Sequence, residues 1–260
     1  MPSVTVDNTT ETVTVNTTAV TISSPTFTTQ YPDPTTAAFL YSDFLGNCEP
    51  FDICYGTAGQ PDTGTWSYQV NAITDFGSLQ LLLPAAQGTR VGVFAADADG
   101  TDVDRNTQLG YGAFDFTARV KFVGTAEQTQ RVIVGFGISH GPPDTTVGQK
   151  LMLQFGAAFV CYGGGGNWIA TVADSNTLDE VDSGVAVDVY HTLRITTNAS
   201  GTLINFYIDG NLIRSGAPTF DPSTTLGTWG AEARDKKTGG STNAVTLSLD
   251  YMALKYTIAR

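Results

Sequence analysis

Three observations predict an all-β chain, folded as a two-sheet antiparallel sandwich behind a short β-rich arm. Composition is the first: only 15% of the 260 residues are charged, Gly numbers 28, and Thr is frequent. Few Lys and Glu among many β-branched residues favour strands over helices. The second is the alternation within residues 189–213, VYHTLRITTNASGTLINFYIDGNLI. There His191, Leu193 and Ile195 share one face, and Ile204, Phe206 and Ile208 share another; period two marks strands with one buried side. The third is spacing, because short apolar runs recur along the chain with Gly-rich turns between them.

The elements follow in order. Residues 1–24 repeat a Val-Thr theme, VTV at Val4, VTV at Val13 and VTI at Val20. Such runs are strand-prone but too short and polar to build a core, so they predict an arm that docks on another protein or on its own copies. Residues 25–37 carry Pro25, Pro32 and Pro34 and read as an extended linker. Residues 38–260 form one domain, within the size a single all-β fold reaches. Its expected strands include 39–45, 66–70, 79–83, 91–94, 114–122, 132–138, 151–155, 158–162 and 168–172. Gly163 to Gly166 is read as a turn, and the acids Asp179, Glu180 and Asp182 as a loop. In the hairpins, 198–201 makes the first turn and Asp209-Gly210 the second, a type I′ turn that needs positive φ at both positions. Residues 229–232 and 245–255 close the domain.

Composition also excludes classes. With 13 basic against 25 acidic residues the net charge is −12, which repels nucleic acid and anionic lipid. No apolar run is long enough to span a bilayer as a helix. The start, MPSVTVDNTTETVTV, has neither a basic stretch nor an apolar core, so no cleaved secretory signal is expected. Cys48 and Cys54 bracket a short loop suited to a disulfide in an oxidising setting, with Cys161 left as a buried small hydrophobe. Without a signal, all three are read as thiols.

The pattern H-x-L-R-I at His191 followed by F-Y-I-D-G at Phe206 resembles the back-sheet hairpins of concanavalin A-like jelly rolls. That superfamily includes lectins, laminin-G modules and glucanases. Residues 110–122 resemble its long central strand, Asn167-Trp168-Ile169-Ala170 the strand before the hairpins, and 245–255 its last strand. The resemblance covers roughly residues 38–260. It implies a concanavalin A-like jelly roll and leaves function to the site.

Catalytic constellations are not found. The glucanases of this fold carry E-x-D-x-E on one strand, bringing two carboxylates to the spacing that a retaining glycosidase needs. The matching strand here has Asp115 and no partner acid. Neither His140 nor His191 lies near a nucleophile elbow, and no phosphate-binding loop is present. A non-enzymatic protein is therefore expected.

Two candidate sites remain. Asp97, Asp99, Asp102 and Asp104, with Gly100 to turn the backbone, offer the hard oxygens that Ca²⁺ prefers. Their mutual repulsion is relieved either by that cation or by plain solvation. Tyr162, Asn167 and Trp168 flank the glycine turn, and His140 in the 138–144 loop could join the same rim, making a candidate glycan contact. A strand Trp serves core packing equally well.

The signal-less, acidic, Thr/Gly-rich jelly roll behind a β-arm resembles, in style, a bacteriophage virion subunit. That resemblance implies a fibre or capsid-decoration protein, attached to other virion proteins through residues 1–24, oligomeric with a trimer favoured, and facing host surface glycans. It would be made in the host cytoplasm and be extracellular after lysis. The rival expectation is a free carbohydrate-binding protein or a glycan-active enzyme of the same fold.

Overall fold

The computed structural model describes residues 11–15, 18–22, 37–44, 51–55, 65–69, 77–83, 90–95, 107–123, 130–138, 156–162, 166–174, 177–235 and 244–258. The chain divides into two compact units, residues 1–32 and 33–260. In the first, β1 (Glu11–Val15) and β2 (Thr18–Ile22) pair antiparallel with Val13 opposite Val20, so each Val/Thr strand takes the other as its partner.

The second unit holds the remaining strands. They are β3 (Ala37–Ser42), β4 (Asp52–Tyr55), β5 (Thr65–Gln69), β6 (Ser78–Leu83), β7 (Arg90–Phe94) and β8 (Thr107–Gln108). A 3-10 turn, Leu109–Tyr111, leads into β9 (Gly112–Val123), β10 (Gln130–Ile138), β11 (Gly156–Tyr162), β12 (Asn167–Asp174) and β13 (Thr177–Ala186). The chain closes with β14 (His191–Thr197), β15 (Ile204–Ile208), β16 (Asn211–Gly216), β17 (Leu226–Asp235) and β18 (Val245–Ile258).

These strands form two antiparallel sheets. Sheet I runs β16-β15-β14-β9-β18-β6-β5, with β3 also on β18. Sheet II runs β13-β12-β11-β10-β17-β7-β4, with β8 on β17. The two inner faces meet in one core, where Trp229 of β17 stacks on Phe114 and Phe116 of β9 at 5.8 and 5.2 Å. Phe159 of β11 meets Phe206 of β15 edge-on at 5.3 Å. Each such buried side chain stabilises the fold by roughly 2 kcal/mol relative to exposure. This is the two-sheet jelly-roll sandwich that the alternation predicts.

The alternation in β9 is unbroken over its twelve residues, with Phe114, Phe116, Ala118, Val120 and Phe122 inward. In β18 it is not. Val245, Leu247 and Leu249 point inward, then the register shifts between Leu249 and Tyr251, and Met252 and Leu254 take over. Asp250 is the inserted residue of this bulge, and its carboxylate binds Arg119 of β9.

The second hairpin turn has the predicted geometry. Asp209 and Gly210 both adopt positive φ, 51° and 83°, between the pair Ile208 and Asn211. Two expectations are corrected. The acids at 179–182, read as a loop, lie within β13, an edge strand of sheet II. β4, containing Cys54, occupies part of the stretch read as a short loop between Cys48 and Cys54. The outer face of sheet II is also buried: Phe94, Ile133, Ala158, Val160 and Ala173 form a second apolar cluster there. On the same face Glu232 and Arg234 form a buried ion pair, 1% and 4% exposed. Cys161 sits in the main core, as a small hydrophobe would. Cys48 and the expected strand 151–155 lie outside the described residues.

Candidate functional site

The residues flagged around the glycine turn lie where β11, β12 and β13 end together. Tyr162 is the last residue of β11, and Asn167 opens β12. A tight turn at Asp174, whose carboxylate accepts the Thr177 N–H at 3.1 Å, sends the chain back along β13. β13 then reaches Tyr162 and Asn167 with side chains of its own.

Its pairing with β12 is interrupted. Ile169 faces Asp182 and Asn167 faces Ala186, so residues 183–185 of β13 stand against the single residue Trp168. Gly184 makes this bulge possible, with φ +68°. The Asp182 Oδ1 organises it, accepting the Gly184 N–H at 2.8 Å and the Asn167 Nδ2–H at 3.0 Å. Beside it, the Gly166 carbonyl accepts the Val187 N–H at 3.2 Å. A Cβ at Gly166 or Gly184 would meet nothing within 4 Å, so the backbone there is bare to solvent. Bulges of this kind at sheet edges commonly re-aim side chains.

Tyr162 completes the cluster from the other side. Its phenol donates to the Glu180 carboxylate of β13, and Arg131 of β10 lies over its ring at 4.9 Å. Burial first, and the Glu180 hydrogen bond second, push the phenol pKa up against the opposing pull of Arg131, so the group stays protonated as a donor. The result is a half-exposed rim of phenol, amide and two carboxylates beside open glycine backbone. Chemically it can accept and donate hydrogen bonds to a hydroxyl-rich ligand.

The structure brings together Tyr162 and Asn167 of the four predicted glycan residues. It corrects Trp168, which is fully buried in the core, in phase with Ala170 and Val172. A ring with no exposed face cannot stack on a sugar arriving from solvent. His140 and the acids Asp97, Asp99, Asp102 and Asp104 lie outside the described residues. Among the described residues no three His, Cys, Asp or Glu side chains gather as metal ligands. Glu180, Asp182 and Gly184 were not predicted as part of the rim; the alternation of acids at 180 and 182 was the available signal. Asp115, the acid on β9, is held by Arg194 of β14 through two hydrogen bonds of 2.8 and 2.7 Å.

No family model matches the chain, and no curated protein matches it. Solved structures do. A protein of unknown function from Shewanella oneidensis MR-1 superposes with a TM-score of 0.57 at 11% identity, over 86% of this chain and 89% of that one. A Lotus tetragonolobus seed lectin superposes with a TM-score of 0.55 at 9% identity, over 86% of this chain and 100% of the lectin. The Emp46p carbohydrate recognition domain, in its potassium-bound form, gives 0.49 at 10% identity, over 83% of this chain and 95% of the domain. The first two superpositions show that the chain has a lectin-like jelly-roll sandwich fold.

Proposed function

We propose that this protein binds glycans without acting on them, through the rim formed by Tyr162, Asn167, Glu180 and Asp182. One observation carries the reading: Asp182 and Asn167 are locked together over a bare, bulged backbone, offering amide and carboxylate groups at fixed positions. Sugar hydroxyls both donate and accept, and a preorganised amide–carboxylate pair meets both needs at small entropic cost. The lectin fold supports the reading by analogy. Calcium at Asp97, Asp99, Asp102 and Asp104 belongs to the same proposal.

The setting proposed is a phage virion, with the chain a fibre or capsid-decoration subunit displaying this domain toward host glycans. The separate compactness of residues 1–32 supports an attachment or assembly role for the arm. Light scattering of the full chain against a variant lacking residues 1–24 tests this; an unchanged mass removes the assembly role.

The binding test is a glycan array probed with the full chain, with and without calcium, alongside Asn167→Ala and Asp182→Ala. Binding by the parent that both variants lose supports the reading. Equal binding by parent and variants moves the site elsewhere, and no binding by the parent overturns the function.

A further inference from the structure

We propose a second binding site, on the outer face of sheet I, for a single carboxylated pyranose within a glycan. It goes beyond the rim described above and shares no residue with it.

The site follows from one cross-strand row. Tyr41 of β3 pairs with Ala253 of β18, Ala253 with Thr117 of β9, and Thr117 with Arg194 of β14. On β9, residue 117 alternates with inward Phe116 and Ala118; on β18, residue 253 alternates with inward Met252 and Leu254. Both therefore face outward, and so does Tyr41, which is 46% exposed. The backbone positions of Tyr41 and Arg194 thus lie about 14 Å apart, three strand steps, with only Ala253 and Thr117 between them in the row. That leaves a shallow slot between two large side chains, wide enough to admit a sugar ring.

Both walls are held in place. Tyr41 is braced by Tyr251, ring centroids 6.3 Å apart. Arg194 is fixed by its two hydrogen bonds to Asp115 and lies 5.6 Å from the Tyr207 ring centroid. An aromatic wall suits the apolar face of a pyranose, and a fixed guanidinium suits its hydroxyls.

The charges select the ligand. Asp115 is taken by Arg194, and Asp250, at the Tyr251 end, by Arg119. Lys255 pairs in register with Asp115 at the opposite end of the slot, is exposed, and has no hydrogen bond or ion pair among the described residues. Among the described residues that line the slot, it is the one charge without such a bond. A ligand presenting one carboxylate at that end and a ring over Ala253 and Thr117 satisfies it.

The test is a titration of the ¹⁵N-labelled full chain with oligogalacturonate, with sialyllactose, and with lactose as the neutral control, followed by amide shifts. Shifts centred on Tyr41, Thr117, Ala253 and Lys255 with either acidic probe, and much weaker with lactose, are expected. Lys255→Gln should weaken that binding roughly tenfold, the effect of one charge-assisted hydrogen bond. Ala253→Trp, which fills the floor, should abolish it, while Asn167→Ala leaves it intact. Shifts confined to residues 162–186 would overturn this site and leave the rim standing. Equal response to lactose and the acidic probes would overturn the charge selection, and no response on sheet I to any probe would overturn the site.

Discussion

The Arg214 guanidinium of β16 donates to both the backbone carbonyl, at 2.8 Å, and the carboxylate of Asp179 in β13. Those two strands are the outer edges of sheets I and II, so one side chain ties the rims of the sandwich together. Arg214 is buried, lies 5.7 Å from the Phe206 ring centroid, and has its pKa pushed down by burial against the opposing Asp179 carboxylate.

Removing that tie should loosen the edge. Arg214→Ala is expected to cost roughly 2 kcal/mol, the scale of hydrogen bonds to a charged group. For a domain of this size that lowers Tm by roughly 4 to 8 °C. Arg214→Lys should recover only part of it, since an ammonium cannot reproduce the planar fork. Thermal unfolding followed by circular dichroism checks both; an unchanged Tm for Arg214→Ala would refute the tie.

Gly210 tests backbone conformation apart from packing. A Cβ there meets nothing within 4 Å, yet φ is +83°. Gly210→Ala should therefore destabilise by about 1 kcal/mol through the left-handed conformation alone. Gly210→Asn should lose much less. Urea midpoints of the two variants give the comparison.

Acid stability should depend on Asp209. Burial acts to raise its carboxyl pKa, but the His191 ring at 2.6 Å, the Thr192 N–H at 2.8 Å and Arg119 outweigh it, leaving the pKa below the usual 3.8. A folded pKa below the unfolded one gives stability that is present above pH 3.8 and lost as pH falls through the folded value. The stability gap between the parent and Asp209→Asn should thus shrink as pH falls from about 5 to below about 4. Denaturant midpoints between those limits and pH 2 measure it.

Cys161 should be inert in the folded protein. Burial pushes its thiol up to about 11 against the opposing pull of Arg131, so little thiolate exists near neutrality. Alkylation at pH 8 followed by peptide mapping should find Cys161 unmodified when native and modified in denaturant. Rapid native labelling would contradict its place in the core.

How much of this was legible depended on the local physics. The Asp209-Gly210 turn and the long β9 strand were readable because turn chemistry and one-sided burial both write themselves into short windows. β13 was not, because an edge strand with both faces partly open needs no apolar alternation. Its acids are explained by distant partners, Glu180 by Tyr162 and Asp179 by Arg214. Trp168 was misplaced on the rim although its phase with Ala170 and Val172 already pointed inward. Tyr162 and Asn167 were found because glycine turns leave room beside them. Asp182 was missed because the bulge that aims it depends on pairing with β12, which sequence spacing does not reveal.

β18 spans the middle of sheet I, pairing with β9 along its length, with β6 through residues 245–249 and with β3 through residues 252–257. Its partners β3 and β6 are made long before it, so a growing chain must carry β3 without its β18 neighbour, and the β5–β6 pair open on one side, until β18 has been made. Translation would therefore run well ahead of folding, and a ribosome stalled before residue 245 would release a polypeptide with the centre of its sheet missing. The bulge at Asp250 keeps the two halves of β18 in phase: were Asp250 paired regularly instead of bulged, Met252 and Leu254 would turn out into water.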